Sequence, residues 1–156
     1  MKDNILEDIA RKTKLHFYRS VFREFEDSER SLSLMETMLL EIIDYLDRPS
    51  INDLVNFLHV SQPNMSYKVN VLEKKGYIRK VRNDSDGRFL HLVLTDEYYS
   101  YKKKKNEFTK STLDKVEESL SEEEKNYLYK SLYLVDKVLE DKLKDYINDV
   151  NSKKNK

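Results

Sequence analysis

The sequence predicts a mainly α-helical chain carrying one small β-hairpin, with a compact middle between long outer helices. Three observations lead there. The 156 residues include only two Gly and two Pro, so long stretches contain nothing that would interrupt a helix. Apolar residues recur three to four apart over most of the length, which is the spacing of one helix face. That spacing breaks once, between Tyr77 and Thr95, where short apolar groups flank a polar turn.

Residues 3–27 read as a first helix, with Ile5, Ile9, Leu15, Phe17, Val21, Phe22 and Phe25 on its apolar stripe and a polar connection, 27–31, after it. Ser33 opens the second helix with Glu36 three residues on, a capping box. Met35, Met38, Leu39, Ile42, Ile43 and Leu46 are its inward side, and Pro49 ends it and biases Arg48 toward extended backbone. A short third helix spans about 51–58. Ser61 is placed as the N-cap of a fourth, which has Pro63 in its first turn, runs to Lys75 and stops at Gly76. The hairpin follows, with its tip at Asn83-Asp84-Ser85-Asp86-Gly87. Thr95 is placed as the cap of a fifth helix to about Ser119. Ser121 with Glu124 is a second capping box, opening a last helix through Leu128, Leu132, Val135, Leu139, Leu143 and Ile147.

Composition removes several function classes. Without cysteine there are no disulfides, thiolate zinc sites or thiol switches. No run approaches the 18 or so apolar residues of a membrane span, and the start, MKDNILEDIARK, has no signal-peptide core. A cytoplasmic location is the expectation. The chain is neutral, with 29 basic and 29 acidic residues, yet its charge is segregated. Residues 61–91 carry a net +4, residues 32–60 a net −4, and both flanks sum to zero. Basic charge gathered in one segment has the distribution of a nucleic-acid footprint.

Two helices joined by Leu58-His59-Val60-Ser61, the second followed by a basic hairpin, form a winged helix-turn-helix, flanked here by long N- and C-terminal helices. The start of such a second helix meets base edges in the major groove. It offers Ser61, Gln62, Pro63, Asn64, Ser66, Tyr67 and Lys68. Gln and Asn can bond the donor and acceptor edges of adenine together, and Lys can reach phosphate or guanine. On the hairpin, Arg82 and Arg88 are candidates for phosphate or a narrow minor groove, with Asp86 placed to orient Arg88. At least two of Lys74, Lys75, Arg79, Lys80 and Arg82 are expected to meet phosphate, whereas Lys102–Lys105 read as a solvated face.

The run SQPNMSYKVNVLEKKGYIRKV followed by RNDSDGRFLHLVLT resembles the recognition helix and wing of the MarR (multiple antibiotic resistance regulator) family. The wing matches D-x-R-x-x-x-apolar-x-L-T at Asp86, Arg88, Leu92, Leu94 and Thr95, and the helix end matches L-E-x-x-G at Leu72, Glu73 and Gly76. Two positions depart: His59 stands where many members have Gly, and Tyr67 where some have Arg. The resemblance implies a homodimeric, sequence-specific transcription regulator, a repressor or an activator, on a pseudo-palindromic operator of double-stranded DNA. It implies an N-terminal dimerisation helix (1–31), a DNA-binding lobe (32–95), C-terminal dimerisation helices (96–150) and a tail (151–156) that reads as disordered. The unpartnered stripes of the outer helices call for a second copy independently of the resemblance.

The resemblance also implies a small aromatic or apolar effector, for which His16, Phe17, Met35 and Met38 are the candidate cleft. The three histidines, His16, His59 and His91, share no ligand spacing, so neither a metal nor another cofactor is expected. With no nucleophile elbow or acidic dyad, the chain is not read as an enzyme. The competing reading is a winged-helix protein-interaction module that has lost DNA binding. Against it stand Asp86, Arg88 and the basic strand ends, all of which are present.

Overall fold

Capping residues fix where the helices of the middle begin. In the computed structural model, which describes residues 4–24, 31–82 and 90–152, Ser33 accepts from the Glu36 amide while the Glu36 carboxylate takes the Ser33 amide at 2.6 Å. Helix α1 (Ile5–Glu24) precedes this box and α2 (Leu34–Leu46) follows it. An equivalent box joins Ser50 and Asp53 at the head of α3 (Ile51–Leu58), where the sequence had suggested only a short helix.

The α2–α3 turn departs from expectation. Asp47 and Arg48 both take positive φ, 47° and 58°, so Arg48 is left-handed rather than extended. The strand behind it explains why this is tolerated. The Arg48 carbonyl meets His91 Nδ1 at 2.9 Å, the Pro49 carbonyl accepts from the Leu92 amide at 2.8 Å, and Ser50 bridges His91. The turn thus lies along the hairpin as a fragment of a third strand. His59, the C-cap of α3, is also left-handed, at φ 53° and ψ 42°. A non-glycine residue bears a cost of roughly 1–2 kcal/mol there.

Helix α4 spans Gln62–Lys74. Ser61 holds its N-cap position, but the hydroxyl makes no capping bond, and the helix starts on the Ser61 carbonyl and Pro63 alone. Its far end is a Schellman motif. Gly76, at φ 87°, donates to the Glu73 carbonyl and Tyr77 to that of Leu72. Strands β1 (Ile78–Arg82) and β2 (Leu90–Leu94) then pair antiparallel, Ile78 opposite Leu94 and Arg82 opposite Leu90. Thr95 does not cap the next helix with its side chain; the hydroxyl donates to the Gly76 carbonyl at 2.6 Å, tying the hairpin exit to the end of α4.

Helices α5 (Asp96–Glu117) and α6 (Glu122–Ser152) complete the chain, α6 running two residues into the segment expected to be a tail. The chain divides into two compact units, 1–107 and 108–156. The first holds the core: Leu39, Leu40 and Ile43 of α2, Leu54 of α3, Met65, Val69 and Leu72 of α4, Ile78 and Leu92 of the hairpin and Tyr98 of α5. The second contains the Ser121–Glu124 capping box, at 2.8 Å from the Ser121 amide to the carboxylate, and a Tyr129 hydroxyl donating to Glu117. No helix among the described residues is long and apolar enough to cross a membrane.

Helix α2 is acidic, and lysines from elsewhere in the first unit answer it. Lys75 donates to both Glu36 oxygens at 2.8 Å and to the Ser31 carbonyl at 2.7 Å. Lys102 reaches Asp44 at 2.5 Å, and Lys105 pairs with Glu41 while lying 4.3 Å above the Phe17 ring. Lys102 and Lys105 are therefore not the solvated face expected of them: α5 lies near enough to α2 for two of the four lysines to reach its carboxylates.

Burial alone would raise the Glu36 carboxyl, but the Lys75 and Ser33 hydrogen bonds outweigh it and the net shift is downward from 4.5. A carboxyl depressed on folding contributes stability above its unfolded value and loses it as pH falls through the folded one. Glu36→Gln should accordingly cost about 1.5–3 kcal/mol near neutrality, with the gap from wild type closing below pH 4.5. Urea unfolding at pH 7 and pH 3 measures this, and a pH-independent gap would contradict it.

Candidate nucleic-acid interface

Helix α4 buries Met65, Val69 and Leu72, each at most 1% exposed. Positions three and four apart share a helix face. The face opposite that stripe is therefore Pro63, Tyr67, Asn70 and Lys74, all exposed, with Tyr67 outermost at 69%. Gln62 and Asn64 are exposed in the first turn, and Ser66 and Lys68 lie half-buried on the flanks. Of the residues singled out in the sequence, Ser61, Gln62, Pro63, Asn64 and Tyr67 are thus open together at one end of one helix. Asp86 and Arg88 lie outside the described residues.

The cations of the basic segment divide into two groups. Lys75 and Lys80 are committed within the fold, Lys75 to Glu36 and Lys80 to the end of α4. The Glu73 carboxylate takes both the Lys80 ammonium, at 2.7 Å, and the Lys80 backbone amide, at 3.3 Å. Neither lysine is the open phosphate partner that its place in the sequence suggested. Lys74 on α4 and Arg79 and Arg82 on β1 are exposed, and none has an ion pair among the described residues. Arg82 projects from the same side of β1 as Lys80, which touches α4, whereas Arg79 projects from the other side. Lys74 and Arg82 are thus the open cations on the α4 side.

A cavity of about 200 Å³ opens between α2 and α4. Met35, Met38, Leu39 and Ile42 line one side, Leu58 and Val60 the α3–α4 turn, and Asn64, Met65 and Lys68 the other. Of the four candidate cleft residues it brings Met35 and Met38 together, at 51% and 42% exposure. His16 and Phe17, half-buried on α1, are not among its lining residues. Two sequence-predicted DNA contacts, Asn64 and Lys68, unexpectedly share this cavity. Asn70 is an exposed residue of this face that the sequence reading did not single out, although its spacing of three from Tyr67 and four from Lys74 puts it on their side. Among the described residues no three His, Asp or Glu side chains converge as a metal would require.

Comparison with known proteins agrees with the fold. Residues 31–88, a segment that includes α2, α3, α4 and β1, match the model of the MarR family. No curated protein matches the chain. Among solved structures, the transcriptional regulator Tm0710 of Thermotoga maritima superposes with a TM-score of 0.63 at 22% identity, over 90% of this chain and 95% of that one. FabT of Streptococcus pneumoniae, solved in complex with DNA, gives 0.51 at 26% identity, over 87% and 98%. A point mutant of S. aureus MepR, bound to an oligodeoxyribonucleotide, gives 0.53 at 18%, over 89% and 98%.

The charge division yields a test on duplex DNA. Removing a cation that meets one phosphate lowers the salt slope of log affinity by about one unit. Arg82→Ala should lower that slope and weaken binding to any duplex alike, while Lys75→Met should leave it unchanged. Fluorescence anisotropy between 50 and 200 mM salt reads both, and equal slopes for all three proteins would contradict the division.

Proposed function

We propose that this MarR-like chain is a homodimeric, sequence-specific transcription repressor that binds a pseudo-palindromic operator through α4 and the wing. One observation carries the reading. A helix anchored in the core turns a polar face outward next to cations that no carboxylate among the described residues neutralises. Gln62, Asn64, Ser66 and Tyr67 supply the base-reading groups, with Ser61 and Pro63 at the helix start. Lys68, Arg82 and Arg88 supply charge for phosphate, Asp86 orienting Arg88. The DNA in the FabT and MepR structures supports the same partner for this fold.

Dimerisation follows from apolar surface that one chain leaves open. Ile5, Leu6, Ile9 and Leu15 on α1, and Leu132, Val135, Leu139 and Leu143 on α6, are each between 37% and 60% exposed. Contiguous apolar stripes of that kind mark an interface, and a two-fold dimer matches a two-fold operator. The cavity between α2 and α4 is the effector site of this reading. Its volume lies below the roughly 300–1,000 Å³ usual for ligand pockets, which confines the effector to a small apolar or aromatic molecule. Such a molecule would displace Asn64 and Lys68 and loosen the grip on the operator.

The direct experiment is sedimentation combined with operator binding. Wild type should run at about twice 18.8 kDa and bind the DNA upstream of its own coding sequence in preference to unrelated duplex. Leu132→Glu with Leu139→Glu should give monomers that bind neither tightly. A folded wild-type monomer that binds its operator would overturn the dimeric reading.

A further inference from the structure

Asn70 stands in the exposed row between Tyr67 and Lys74, and one contact sets its orientation: the Lys80 ammonium lies 2.5 Å from Asn70 Oδ1. An ammonium has three donors and no acceptor, so it can face only the carbonyl end of an amide. The Asn70 NH2 is therefore turned away from Lys80. Lys80 does not depend on Asn70 for charge, since Glu73 already holds it at 2.7 Å and fixes its backbone amide as well. Were Asn70 only an anchor, a carboxylate would bind an ammonium more strongly. The amide is the group that satisfies Lys80 on one side and still offers two N–H donors on the other.

We propose that Asn70 is a specificity-determining residue of the duplex interface, reading the acceptor edge of guanine because Lys80 keeps its carbonyl turned inward. The inference rests on the sequence-specific DNA reading above and adds a base preference to it. A free Asn pairs with adenine through a carbonyl that accepts from N6 and an NH2 that donates to N7. Oδ1 keeps a second lone pair, but the ammonium seated 2.5 Å from it repels the partly positive amino group of adenine N6, so the adenine mode is weakened, and cytosine presents only a donor. Guanine alone offers two adjacent acceptors, O6 and N7, in the major groove. Lys80 is a positioning residue: it touches no base and acts through the amide it orients. The preference thus arises from the meeting of a helix residue and a strand residue ten positions apart.

In vitro selection from a random duplex library, followed by sequencing, tests this on the full chain, with circular dichroism confirming that each variant folds. Wild type should enrich guanine at one position of each half-site. Asn70→Ala should lose about ten-fold discrimination there and keep the rest of the motif. Asn70→Asp, which can only accept, should change the preferred base to cytosine or adenine. Lys80→Met should free the carbonyl and admit adenine at the same position. A motif unchanged in both Asn70 variants would overturn the proposal while leaving sequence-specific binding intact, and an unchanged Lys80→Met motif would overturn the orienting role. Enrichment of no motif by wild type would overturn both the proposal and the reading beneath it.

Discussion

Helix α4 can bury only one of its faces, and the arrangement of the first unit follows from which one it buries. Met65, Val69 and Leu72 meet Leu54, Ile78 and Leu92 with almost no exposure. At about 1.5–3 kcal/mol for each large apolar side chain, that stripe amounts to a large share of the roughly 5–15 kcal/mol by which a small domain is stable. Rolling the helix by half a turn would expose those side chains and bury Tyr67 and Asn70, so the outward row is fixed by the core. Its ends are fixed as well, at one by the left-handed His59, at the other by Gly76 and the Glu73–Lys80 clamp. A reading surface so anchored costs little ordering when a ligand arrives, which is the advantage of preorganisation.

The neutral overall charge no longer weighs against a polyanionic partner once it is partitioned. The acidic residues of α2 are answered by Lys75, Lys102 and Lys105 within the first unit. Asp53 is engaged in capping α3. What remains outward on the α4 side is Lys74 and Arg82. A chain of zero net charge can in this way hold a concentrated cationic edge, because the field at contact is set by charges within about 10 Å rather than by the total.

The helices and hairpin are legible in the sequence because each carries a local signal: apolar periods of three to four, capping pairs such as Ser33–Glu36, and Gly76 as a stop. The mismatches come from long-range contacts that periodicity does not encode. Residue type and place point to caps at Ser61 and Thr95, yet Ser61 makes no capping bond and Thr95 turns to Gly76, nineteen residues away. Arg48 is left-handed because its turn is pinned to the hairpin by His91 and Leu92, which no local rule for a residue before proline anticipates. In the site, the exposed start of α4 is readable from the helix-turn-helix spacing. Which lysines stay open is not, since Lys75 and Lys80 look the same in sequence as Lys74 and differ only in the carboxylates that reach them.

The claim on which the rest turns is that a duplex lies against the Pro63–Tyr67–Asn70–Lys74 row. Photocrosslinking tests it most directly, with benzoylphenylalanine in place of Tyr67 or, as a control, of Tyr45, which is exposed on α2. The account predicts a crosslink to major-groove bases from position 67 and none from position 45. Efficient crosslinking from position 45 with none from position 67 would mean that DNA meets another face.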